Sequence, residues 1–483
     1  MSAVGRAAAL HAAYWQHDRW YRYAWFVWPQ ALAILLAGWF LAERPGQVPG
    51  EWAKPAAAGT QPSSGANPSQ ESPDWTTCKG SDADQAIAAC TRLIASGITG
   101  VDLGWAYFNR AFNHGRKGEG PAAIADNTEA IRLKANVVYA YNNRGSWYLS
   151  GGNLDAALRD FNDAIAADSS AALPYANRGE LYRQQKQPDK AITETSLAIR
   201  LDPKLLRAYW VRARAYEDKG QWAEVVADCT TVLQLDPKEV TCLDRRGICY
   251  YELDKLDLAL ADYNASLQLN PRSAWTLASR GAVRRDMKLY DSALSDFSEA
   301  ISLNPKYTYA YANRADTYFL KQQYDLAISD ANKAIELDRK WAFAFMVRGR
   351  AQMELGRIDE AADDLAAAAA LAPNAWKIRY FNAIAQAKRE DRMFAACPKP
   401  DRKSNIVGSM PPICMQGVQY DTSFRELNEA IRILPQYADA YSFRGALYLA
   451  IGQRSKAISD LRQALAINPN DDYARNTLRS MGQ

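Results

Sequence analysis

The five residues Tyr141-Asn142-Asn143-Arg144-Gly145 return in nearly the same form every 34 positions. Counted on the small residue, the landmarks are Ala111, Gly145, Gly179, Ala213, Gly247, Gly281, Ala315, Gly349 and Ala383 in one unbroken register, and Phe443-Arg444-Gly445 follows after an interruption. A fixed period of about 20–50 residues marks a stacked-repeat architecture, in which no unit buries its apolar face alone and neighbours complete the core. One long repeat domain therefore replaces the roughly three domains that 483 residues would otherwise imply.

Each unit carries two apolar stripes at helical spacing. In the second unit these are Tyr141, Gly145 and Tyr148, then Ala157, Phe161 and Ala164. A small residue at each crossing lets the two helices approach. Pro203, Pro237, Pro271, Pro305, Pro373, Pro435 and Pro469 stop the second helix, because proline lacks an N–H and clashes with the preceding turn. Such 34-residue units, with a small residue at the eighth place, alanines at the twentieth and twenty-seventh and proline at the thirty-second, resemble the tetratricopeptide repeat family over about four-fifths of the chain. The resemblance implies an all-α, right-handed superhelical solenoid of about ten helix-turn-helix repeats.

The seventh place departs from the family, which favours an aliphatic residue there. It holds Arg110, Arg144, Arg178, Arg212, Arg246, Arg280, Arg314, Arg348 and Arg444. Sixteen residues later stand Asp126, Asp160, Glu194, Asp228, Asp262, Asp296, Asp330, Asp364 and Asp460. An arginine in a buried stripe needs a partner, so the two sets are expected to form a structural ladder of ion pairs. The ninth unit has Asn382 instead, and it is the interrupted one.

Ahead of the repeats, Ala24 to Ala42 is 19 residues without a charge, flanked by aromatics such as Trp20, Tyr23, Trp39 and Phe40. At about 1.5 Å per residue it just spans a bilayer core, and no small-x-small cleavage site follows at the usual distance. Residues 1–23 are expected on the cytoplasmic side, 24–42 as one transmembrane helix and 43–75, rich in Pro, Gly, Ser and Ala, as a flexible linker. The solenoid then covers 76–483, with a capping helix at 82–96, repeats from about 104 to 471, an insertion at 393–420 and a closing helix at 472–481. Flanking charge is tied, with Arg19 and Arg22 against Arg44 and Lys54, and Arg6 tilts the amino terminus inward. Cys78 and Cys90 bracket the cap and Cys397 and Cys414 flank the insertion, as candidate disulfides suited to an oxidising compartment. The repeats are thus expected outside the inner membrane. Cys229, Cys242 and Cys249 read as core residues, one pair of them open to bridging, and seven cysteines leave at least one thiol free or paired with another chain.

A net charge of +4 spread over the repeats gives no footprint for nucleic acid. Only His11, His17 and His114 are present, and no phosphate or dinucleotide fingerprint occurs, so the sequence offers no catalytic constellation, metal site or cofactor motif. The family resemblance implies that the second, fifth, sixth and ninth places of the first helix line a groove for a protein or extended peptide. Those places hold Trp105, Phe108, Asn109 and Phe112, then Tyr139, Asn142, Asn143 and Ser146, then Leu173, Ala176, Asn177 and Glu180. Asn109, Asn143, Asn177 and Asn313 share the sixth place, where a carboxamide can grip a peptide backbone; an equal alternative is that they cap or pack beside the arginine. No unit has lysine at the fifth place, which the family's chaperone-tail clamp needs. Two functions stand: a membrane-tethered adaptor, and a cell-envelope enzyme or enzyme subunit with its chemistry in the 393–420 insertion.

Overall fold

A computed structural model describes residues 72–397 and 418–483. Among them are 23 helices in sequence, in the alternating first-helix, second-helix order that the period predicts. They fall into two compact bodies, 72–269 and 270–483.

The first body opens with Pro73–Cys78 and Ala83–Ala95, followed by five repeats from Gly100–Arg116 to Leu256–Leu269. The second holds five more, from Ala274–Asp286 to Arg454–Ile467, and ends on Asp472–Ser480. The linker boundary differs from expectation. Ser72 caps the helix that starts at Pro73, and Trp75, placed in the linker by composition, is 1% exposed in the core of the cap. The insertion is also shorter than expected at its start, because Trp376–Ala395 runs on as one helix. No described helix is long and apolar enough to cross a membrane, and the expected span at 24–42 lies outside the described residues.

Within a repeat the two helices pack antiparallel across the eighth place. A Cβ built on Gly145 would meet Phe161 Cε1 at 2.9 Å, and one on Gly281 would meet Phe297 Cε1 at 2.9 Å. Only glycine admits those rings. Three of the repeats with alanine there, at Ala111, Ala213 and Ala315, carry Asn127, Cys229 and Ala331 sixteen residues on, so in these a small residue faces a smaller one than the rings of Phe161 and Phe297. Successive first helices touch within each body, Val137–Ser150 against Ala172–Gln184 and Thr308–Leu320 against Ala342–Glu354 among them. First helices thus form the inner layer, and their second, fifth, sixth and ninth places look away from the second helices.

Candidate functional site

All nine ladder pairs form. Arg110 Nε lies 2.7 Å from Asp126 Oδ2, Arg144 Nη2 2.7 Å from Asp160 Oδ1, and Arg314 Nε 2.6 Å from Asp330 Oδ2. The others are Arg178–Glu194, Arg212–Asp228, Arg246–Asp262, Arg280–Asp296, Arg348–Asp364 and Arg444–Asp460, each at 2.8 Å or less. The guanidiniums are half-buried, and most of the carboxylates are buried. Their hydrogen bonds to the acids hold Arg110, Arg144 and Arg444 above the usual arginine range.

Eight rungs also reach backward. Nη1 donates to the preceding unit: Arg144 to Thr128 Oγ1 at 3.0 Å, Arg348 to Asn332 Oδ1 at 2.6 Å, Arg444 to Asn428 Oδ1 at 2.6 Å. Arg110, Arg178, Arg212, Arg246 and Arg314 do the same to Thr91, Asn162, Ser196, Thr230 and Ser298. In most units an aromatic at the fourth place covers the guanidinium, as Tyr141 does Arg144 at 5.5 Å and Phe345 does Arg348 at 5.5 Å, while the fifth and sixth units have Leu243 and Leu277 there. These charges are saturated, so the ladder is architecture and leaves the inner face as the candidate site.

On that face the expected residues separate into two groups. At the amino-terminal end Trp105 and Phe108 stack edge-to-face at 5.7 Å, with Phe112 half-buried beside them in sequence and Tyr139 39% exposed. Asn109 Nδ2 is buried and has no hydrogen-bond partner among the described residues. Asn143 Oδ1 accepts from Asn142 Nδ2 at 3.3 Å.

Deeper in, the asparagines are engaged by the chain itself. Asn177, 3% exposed, donates to Asn142 Oδ1 at 2.7 Å and accepts from Arg207 Nε. Asn313, 1% exposed, donates to Tyr309 O at 2.8 Å and accepts from Arg285 Nη1 at 2.7 Å. Nothing in the spacing of the asparagines marks this difference; the arginines that cover Asn177 and Asn313 come from neighbouring repeats.

Around these asparagines lie charge networks absent from the family-based expectation. Glu180 meets Arg183 Nη2 at 3.0 Å and Arg214 Nη1 at 3.3 Å. Burial pushes its carboxyl up, but Arg214 and Arg183 outweigh it and hold the group down at about 2. Burial, aided by Arg183 and Arg245 against the pull of Glu180, brings Arg214 down to about 10. Trp210 lies between Arg214 at 4.7 Å and Arg245 at 5.8 Å, and Arg245 pairs with Glu217. In the second body the fully buried Asp316 receives Arg350 Nη1 at 3.3 Å and approaches Arg285 Nη1 at 3.5 Å, with Phe319 4.1 Å from the Arg350 guanidinium.

Cys78 and Cys90 form a disulfide, with Cα atoms 4.8 Å apart. Cys397 is disulfide-bonded too, while Cys414 lies outside the described residues. Cys229, Cys242 and Cys249 are free and buried. Among the described residues no group of three or more His, Cys, Asp or Glu is placed to hold a metal ion.

No curated protein matches the chain. Solved structures are similar in part. YrrB, a tetratricopeptide protein with an unusual peptide-binding site, is 23% identical over 38% of this chain and 95% of its own, at a TM-score of 0.35. A tetratricopeptide repeat protein of Parabacteroides merdae is 21% identical over 52% and 100%, at 0.44. A chain of the Cut9–Hcn1 hetero-tetramer of APC/C is 13% identical over 82% and 93%, at 0.46. Tetratricopeptide repeat models match residues 143–205, 308–340 and 438–471, within the 34-residue register and its ion-pair ladder. The chain carries tetratricopeptide repeats at these residues.

Proposed function

We propose that this protein is a non-enzymatic, membrane-tethered scaffold that captures a protein or extended peptide on the inner face of its first helices. The observation that carries the reading is the amino-terminal cluster: Trp105 packed against Phe108 and the exposed ring of Tyr139. Rigid aromatics supply contact area at modest entropy cost, and the half-buried carboxamide of Asn143 can meet a peptide backbone without reading sequence. Asn143 and Phe112 extend that surface. Asn142 and Asn177 support it from within, since their carboxamides are held by the chain, and Asn313, held likewise, belongs to the second body.

The tether is the uncharged run from Ala24 to Ala42, and the repeats stand outside the inner membrane, where disulfides such as Cys78–Cys90 persist. Panning a random peptide library on the full-length chain tests the groove. Changing Phe108 and Tyr139 together to alanine should abolish recovery of the selected peptides while the chain stays folded by circular dichroism; Trp105 is left in place because it also packs against the core of the cap. Undiminished recovery would place the binding surface elsewhere. A reporter fused after Gln483 that is active in the cytoplasm would reverse the topology.

A further inference from the structure

The ninth repeat lacks its rung in three places at once. The covering aromatic of the fourth place is Arg379, the arginine of the seventh is Asn382, and the hydroxyl or amide acceptor on the preceding unit is Ala366. Asparagine is shorter than arginine and alanine shorter than the residue it replaces. The result is a cavity of about 330 Å³ between the second helix of the eighth repeat, Ile358–Leu371, and both helices of the ninth, Trp376–Ala395 and Asp421–Ile433.

Its chemistry is asymmetric. One wall is apolar, formed by Ala366 and its alanine neighbours. The others present donors. Asn382 is 3% exposed; its Oδ1 accepts from Gln386 Nε2 at 3.2 Å, and its Nδ2 donates to no described residue. Arg379 and Arg425 both line the space, and the single carboxylate there, Glu426, is already held by Arg379 Nη1 at 2.7 Å. Arg425 is 68% exposed and only approaches Glu426, at 3.7 Å. Two guanidiniums against one carboxylate leave one net positive charge beside an unused amide donor.

We infer that this cavity is a binding site for a small monocarboxylate with a short apolar body. The carboxylate takes Arg425 and Asn382 Nδ2, and the apolar part covers the alanine wall. A cation is disfavoured by the net charge and by the occupied Glu426. A volume at the low end of ligand pockets, which begin at about 300 Å³, suits a small group. The site uses the fourth, seventh and eleventh places of the first helix, off the inner face, so it is independent of the groove. Its ligand is either a free acid or the carboxy-terminal residue of another chain, which share this chemistry.

Calorimetric titration of the full-length chain separates these. N-acetyl-L-alanine should bind and its amide should bind at least about tenfold more weakly, as expected when a charge-assisted hydrogen bond is lost. Arg425→Gln, at an exposed position, should weaken the acid by about tenfold. Asn382→Arg with Ala366→Asn refills the space as the other repeats do and should abolish binding while the chain stays folded by circular dichroism. Equal affinity for the acid and its amide, preference for methylguanidinium, or undiminished binding in the refilled variant would overturn the site. Butyrate binding as tightly as a glycine-rich pentapeptide ending in free alanine indicates a metabolite; a pentapeptide advantage of about tenfold, lost on amidation, indicates a chain terminus.

Discussion

The eighth and ninth repeats follow one plan, yet they solve the same electrostatic problem differently. In the eighth, Arg348 bonds Asp364 within its own unit and Asn332 in the unit before, under the ring of Phe345. In the ninth, the acid is kept as Glu426, but its arginine has moved three places to Arg379, and nothing charged reaches back from the seventh place. The buried carboxylate requires a guanidinium, whereas the place that supplies it is negotiable. What is lost in the move is the filled volume and the seventh-place link to the preceding unit; Arg389, further along the same helix, reaches back to Asp363 instead.

The contrast breaks most sharply at the acids. Asp364→Ala should leave Arg348 half-buried without its carboxylate and cost about 3–5 kcal/mol in urea unfolding. Asn382→Ala, which removes no charge, should cost about 1 kcal/mol. Comparable losses in the two variants would show that the rung is ornamental.

Glu180 extends the test to the inner face. Its carboxyl is held at about 2 against an ordinary 4.5. A depressed carboxyl stabilises the fold above its unfolded pKa and loses that contribution as pH falls toward the folded value, here from 4.5 to 2. About 3 kcal/mol should disappear across that window, and Glu180→Gln should flatten the corresponding part of the stability profile. A profile that is unchanged by the substitution would mean that Arg183 and Arg214 do not hold the carboxyl.

Rebuilding the ninth rung as Arg379→Tyr, Asn382→Arg and Ala366→Asn should raise stability by about 1 kcal/mol, the scale of filling a methyl-sized void and making one linking hydrogen bond. The smallest effect is at the turn inside a repeat. Gln322 sits at φ 60°, where the eighth and tenth repeats use Gly356 and Gly452 at φ 75° and 77°. Gln322→Gly should therefore stabilise by about 0.5–1 kcal/mol, read as a rise in melting temperature.

The period and the arginine–acid pairing were legible because both partners recur within one unit at a constant spacing. The backward bond was written there too. Thr128, Asn162, Ser196, Thr230, Asn264, Ser298 and Asn332 share one place, and among the units that precede another, Ala366 alone departs from it, immediately before the one unit without arginine. Reading unit by unit hides a contact that crosses between units. Arg379 with Glu426 was out of reach for another reason: the insertion puts them 47 residues apart. The asparagines were ambiguous because burial of Asn177 and Asn313 depends on Arg207 and Arg285, and no pattern within their own helices records that. At Ser72-Pro73 the helix-start signal was present, but the surrounding Pro and Ser composition reads as linker.

A guanidinium bonded on both sides of a repeat boundary has a consequence for how the array comes apart. It makes the folding of one unit depend on the state of the unit before it, the nearest-neighbour coupling that turns a row of weak modules into a cooperative one. Where the eighth repeat meets the ninth, the seventh-place rung is replaced by the neutral bond from Gln386 to Ala362 O and by pairs of Arg389 with Asp363 and Arg392 with Asp359, whose carboxylates are exposed. Exposed pairs couple more weakly than a half-buried rung, so amide exchange in the helices from Trp376–Ala395 onward is expected to run ahead of that in the repeats that precede them.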